Sequence, residues 1–157
     1  MRADWDVLEE SCTLLESLSL DVEDVRLSLA RGVPFPAEHN GVPCLSDVLD
    51  FIEKGDYPPL WSSSGLGLEK KFDICKAALI KAIVEVAGEN KNEDVLWDET
   101  EDDHPGGLFV CRMVHWVRTY ARPGTAGRDD LVICATLSLG NLARRGPPMF
   151  ASVNYPY

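Results

Sequence analysis

"RDDLVICATLSLGNLARR", Arg128 to Arg145, is the stretch on which the fold turns. Its spacing predicts a helix with apolar residues on nearly every side. Asp129 and Asp130 open it, and Arg144 and Arg145 close it, which complements the helix dipole. One amide, Asn141, stands in the last turn. A helix apolar nearly all round must be covered on several sides at once, by its own unit and by the next. Only a narrow strip is then left to face an inner surface, and Asn141 falls on it.

The rest of the chain supplies the covering elements. "DWDVLEESCTLLESLSL" (4–20) carries Val7, Leu8, Cys12, Leu14, Leu15 and Leu18 at the spacing of an amphipathic helix. A shorter helix follows in "DVEDVRLSLARG", with Asp21 as the expected N-cap and Gly32 as the stop. Prolines and glycines break the chain over 33–43. "CLSDVLDFIEKGD" is a third helix, ended by Gly55. The linker "YPPLWSSSGLG" then leads into the longest helical run, 68–92, and a short helix around "NEDVLWDE". After "TEDDHPGG" the pattern resumes in "LFVCRMVHWVRTYARPG", closed by Pro123 and Gly124. No segment alternates with a two-residue period between hairpin turns, so the protein reads as all-α.

These elements repeat. "LLESLSLDVEDV" (14–25), a Gly/Pro loop and "LSDVLDFIEKGD" match "IVEVAGENKNEDV" (83–95), a Gly/Pro loop and "LFVCRMVHWVRTYARPG". A third unit begins at Arg128. Long helix, short helix, loop and long helix recur in a set order, with apolar faces that one unit cannot cover. That pattern predicts an α-solenoid of about two and a third units, 5–56, 66–124 and 128–145, with an irregular tail over 146–157.

Composition narrows the function. The chain has 157 residues, 45% of them hydrophobic, enough for one ordinary core and against a disordered chain. A formal charge of -11 argues against nucleic acid and towards cationic partners or plain solubility. The five cysteines are widely spaced and never form C-x-x-C, which reads as reduced, buried thiols in a cytoplasmic protein. No secretory leader and no membrane-spanning run is expected.

"LSLGNLARR" resembles the third helix of an armadillo repeat, where a Gly-Asn or Ala-Asn pair recurs late in the helix. More specifically, "GGLFVCRMVHWVRTYARPGTAGRDDLVICATLSLGNLARR" (106–145) resembles the armadillo-repeat GDP-dissociation stimulators of small GTPases, fungal members included. The resemblance rests on Gly106, Gly107, Trp116 and the "GNLAR" core, and the preceding helices follow the same order. It implies a small-GTPase regulator, an exchange factor or chaperone, that binds a GTPase with a basic, often prenylated C-terminal tail and needs no cofactor. Importin-type armadillo proteins carry a Trp four residues before the Asn. Leu137 stands there in this chain, against an import receptor.

Superposing the three long helices places Glu16, Glu85 and Asn141 at one equivalent position, which in an armadillo stack lines the concave groove. Asn141 there can bond the backbone of an extended ligand, and the two carboxylates favour a basic one. Glu89, one turn beyond Glu85, extends the strip, whereas Arg145 opposes it. The competing readings are a bracing role for Asn141 and a solvated face for the glutamates. Trp5, Trp61, Trp97 and Trp116 read as core packing or as the frame of a lipid pocket.

Enzymatic chemistry finds little support. There is no G-x-S-x-G elbow, no phosphate-cradling G-x-x-x-x-G-K and no H-E-x-x-H, so no catalytic residue and no metal ligand is expected. The acidic run "DETEDDH" (98–104) lacks the oxygen spacing and mid-loop glycine of a calcium loop. A cysteine paired in space with His115 is the remaining enzymatic alternative. A general armadillo scaffold for extended peptides is the alternative among binding proteins. The helical pattern ends in "GPPMFASVNYPY", which predicts either a partial, inactive array or one whose open end a partner covers.

Overall fold

The computed structural model describes residues 2–31, 44–56, 67–97, 109–124 and 127–144. Its elements are α1 (Arg2–Asp21), α2 (Glu23–Arg31), α3 (Cys44–Lys54), α4 (Leu68–Gly88), a 3-10 turn (Asn90–Asn92), α5 (Glu93–Trp97), α6 (Phe109–Tyr120) and α7 (Asp129–Ala143). All of the regular structure among the described residues is helical, and the helices pack against one another around one core.

Two expected boundaries move. Asp21 is the last residue of α1 rather than the N-cap of α2, and only Val22 separates the two helices. The long run stops at Gly88 instead of reaching 92, because polar side chains hold the chain in a turn there. Glu89 accepts a hydrogen bond from the Lys91 amide, and the Asn92 amide donates to Val86 O at 3.1 Å and to Arg26 O at 3.0 Å. A side chain that satisfies helix-end carbonyls in this way competes with a further helical turn.

Long helices α1, α4 and α7 lie side by side with α4 in the middle. Contacts between α1 and α4 advance in one direction: Lys71 lies over the Trp5 ring, the thiols of Cys75 and Cys12 meet, and Lys81 pairs with Glu16. Between α4 and α7, Ala77 shares a cleft with Asp130, and Val84 bonds Asn141. The three helices therefore run parallel.

Helices α3 and α6 pack together in a second layer. Arg112 of α6 reaches Asp50 and the Ser46 carbonyl of α3, and Trp116 and Tyr120 of α6 both bond Glu53. The sequence separations recur: 63 residues for Arg26 with Glu89, 66 for Asn92 with Arg26, 63 for Trp116 with Glu53 and 67 for Tyr120 with Glu53. Pairing at a nearly fixed separation, in different layers, is what results when one structural unit stacks on the next. The architecture is compatible with an α-solenoid. The core runs continuously through both layers, from Trp5 and Cys12 through Phe72, Leu79 and Ile83 to Met113, Trp116 and Leu131.

Candidate ligand groove

Helix α4 is recessed between α1 and α7, and the depression is an open cleft of about 420 Å³. Ala77, Ile80, Lys81, Val84 and Glu85 of α4 line it, with Glu16 and Leu20 of α1 on one side and Asp130, Ile133 and Leu137 of α7 on the other. The i, i+3, i+4, i+7 spacing of Ala77, Ile80, Lys81 and Val84 explains why they share a face while Phe72, Leu79, Ile83 and Val86 are buried on the opposite one. Leu20, Ile133 and Leu137 are each more than half exposed. Apolar residues gathered in a concavity have more meaning than the same residues scattered over a surface.

A second cleft of about 600 Å³ adjoins it and shares Ala77 and Asp130. It lies where the end of α3 meets the starts of α4 and α7, and its lining is charged: Glu53, Asp56, Asp73, Asp129 and Asp130 against Lys54, Lys76 and Arg128. The cations here serve the fold. Arg128 donates to Ile52 O at 2.7 Å and to Glu53 O at 2.8 Å, and Lys76 donates to Gly55 O, so the open carbonyls at the end of α3 are satisfied. Burial and the nearby Arg128 guanidinium hold the Lys76 ammonium below its ordinary pKa.

The four sequence-predicted residues divide. Glu16 and Glu85 line the groove. Glu16 pairs with Lys81 at 3.1 Å, and Glu85 has no ion pair or hydrogen bond among the described residues. Glu89 and Asn141 are committed elsewhere, and that revises the expected strip. Glu89 forms a nearly buried ion pair with Arg26 at 2.9 Å, while Arg26 also donates to Ser19 O and Leu20 O, both at 3.0 Å, and so closes the end of α1. Burial alone raises the Glu89 pKa, but the Arg26 hydrogen bond, the Lys91 amide and the charges of Arg26 and Lys91 hold it below the ordinary carboxylate value. Asn141 donates to Val84 O at 3.2 Å and accepts from Arg144 at 2.8 Å, so its amide braces α7 on α4. The Gly88 position fits this brace, since a Cβ built there lies 3.4 Å from the Asn141 amide nitrogen.

Other candidates are placed as plainly. Trp5 and Trp116 are buried in the core and Trp97 packs against it, with Trp116 Nε1 donating to Glu53 at 2.8 Å, and none of the three lines either cleft. Burial pushes the thiols of Cys75 and Cys134 up to about 12, and that of Cys12 upward as well, which keeps them protonated at neutral pH. His115 is exposed and lies against Thr119. Trp61, His39, "DETEDDH", Gly106, Gly107, Arg145 and the tail lie outside the described residues. Among those described, no three metal-ligating side chains cluster, and no helix is long and apolar enough to cross a membrane.

The apolar floor and rim of the groove escaped sequence reasoning. Leu20, Ile80, Ile133 and Leu137 follow the same spacing as core residues, and only the flanking helices decide that they stay open. Comparison with known proteins adds no further constraint: no family model, no curated protein and no solved structure matches the chain.

Proposed function

We propose that this chain is an armadillo-type module that regulates a small GTPase by binding it, with the groove of α1, α4 and α7 receiving the GTPase's C-terminal tail. The observation that carries the reading is the groove itself: an apolar cleft between three parallel helices, bordered by the carboxylates of Glu16, Glu85 and Asp130. Such a surface suits a segment that combines apolar groups, an isoprenoid included, with lysine or arginine. The formal charge of -11 adds long-range attraction for a basic tail. The resemblance of 106–145 to the GDP-dissociation stimulators supplies the class of partner.

No bond is made or broken by the module in this reading. Nucleotide release follows if it binds the opened or nucleotide-free GTPase better than the closed one, since a partner shifts an equilibrium only by its difference in affinity. The test uses the purified chain and a small GTPase with a lysine-rich tail, prenylated and unprenylated, loaded with a fluorescent GDP. Binding that weakens with salt and is lost when the tail is removed supports the proposal. Equal binding of the tail-less GTPase, or binding of unrelated extended peptides alone, contradicts it and favours a general scaffold.

A further inference from the structure

Among the described residues Lys81 is the one cation that lines the apolar groove, and it is paired across it. Its Nζ lies 3.1 Å from Glu16 Oε1, joining the middle of α4 to α1, while the Lys81 side chain is 69% exposed and that of Glu16 31%. Glu85, one turn further along α4, lines the same groove and has no such partner. The two carboxylates therefore differ as docking points for a cationic ligand. Glu85 is open, and Glu16 already holds an internal counter-ion. Neither the packing of α1 on α4 nor the core depends on this exposed lysine, since the buried Cys12 and Cys75 thiols meet between the two helices and Trp5 and Leu79 belong to the core.

We propose that Lys81 is a specificity-determining residue: a resident cation that occupies Glu16 and must be displaced before a basic ligand can use Glu16 together with Glu85. This inference rests on the groove-binding reading above. A ligand with one positive charge takes Glu85 and leaves the Glu16–Lys81 pair intact. One with two or more suitably spaced charges displaces Lys81 and gains Glu16, but at the expense of an existing ion pair, so that contact adds little net affinity. Lys81 thus lowers the return from each additional charge and leaves the apolar contacts to decide among ligands. An exposed ion pair is worth at most about 1 kcal/mol, so its removal as a competitor corresponds to a gain of about fivefold.

The test measures binding of fluorescein-labelled 12-residue Leu/Lys peptides, with one or four lysines, to the full chain by fluorescence anisotropy between low and high salt. Lys81→Met, with Lys81→Gln as a second variant, is expected to bind the four-lysine peptide up to about fivefold more tightly and with a steeper salt dependence, because a new ion pair now forms instead of an exchange. The one-lysine peptide is expected to change little. Glu16→Gln is expected to weaken the four-lysine peptide more in the Lys81→Met background than alone, a coupling that a merely structural lysine does not produce. If the wild-type chain binds the peptides but Lys81→Met and Lys81→Gln leave affinity and salt slope unchanged, the gating role is wrong and the groove reading stands. If no variant binds either peptide while circular dichroism shows each folded, the groove reading and this inference both fall.

Discussion

The joint between α2 and the turn after α4, and the groove between α1, α4 and α7, are built from the same residue types and put them to opposite uses. In the joint, Arg26, Glu89 and Asn92 are largely enclosed, and each bonds a partner about 63 to 66 residues away. The Lys91–Glu23 and Arg31–Asp94 pairs add an exposed rim. In the groove, Glu16 and Lys81 make a solvent-facing pair, Glu85 makes none, and leucines and isoleucines stay open. Enclosed polar groups lose water and must be bonded, so the joint fixes how α2 sits against the turn after α4. Exposed charges beside open apolar surface contribute little to the fold and remain available to a ligand. Stability and recognition are thereby separated onto two surfaces of the same helices.

Substitutions on each surface can break or sharpen that separation. The largest effect is expected from Trp116→Ala, which empties a fully buried site and removes one of the hydrogen bonds to the Glu53 carboxylate: a loss of about 3 to 5 kcal/mol in urea unfolding. A loss below 1 kcal/mol would show that α3 and α6 are not joined as described. Asn92→Ala removes two hydrogen bonds that tie the turn to α2 and α4, and is expected to cost about 2 kcal/mol by the same measurement.

Leu137→Ser should separate the two properties. Because Leu137 is 52% exposed, unfolding free energy is expected to stay within about 0.5 kcal/mol of wild type. Affinity for the apolar-basic peptide is expected to fall about tenfold, as an apolar contact is lost. Parallel losses of stability and affinity would erase the distinction between the surfaces.

The smallest effect concerns acid. The Glu89 pKa is depressed in the folded chain, so its stabilisation is present above the unfolded value of about 4.3 and is lost as pH falls through the lower folded value. Glu89→Gln should therefore be less stable at neutral pH and show a flatter decline of melting temperature below about pH 5. An unchanged acid limb would mean that Arg26 and Lys91 do not hold the carboxylate in the way the joint requires.

Much of this was legible in the residues. The apolar periodicity of 4–20, 44–56, 68–92 and 108–124 located the helices within a few positions, and the all-round apolar stretch at 128–145 announced that it needed neighbours on several sides. The order of long helix, short helix and long helix led to an expectation of stacking, with which the recurrent pairing separation is compatible. Glu16 and Glu85 line one cleft, in keeping with the equivalent positions they hold along two long helices. Glu89 and Asn141 share the same sequence logic but are captured by Arg26 and by the Val84 carbonyl, partners no local pattern reveals.

The amino-acid order determined where the chain is helical, which faces are apolar and the excess of negative charge, because these follow from backbone propensity and spacing within a few turns. Tertiary packing alone decided which carboxylates are bonded and which remain open, and that Leu20, Ile133 and Leu137 border a groove while Leu79 and Leu142 are buried. The reason is geometric: a helix presents its residues in fixed directions, but only the positions of its neighbours determine which of those directions end in protein and which in water.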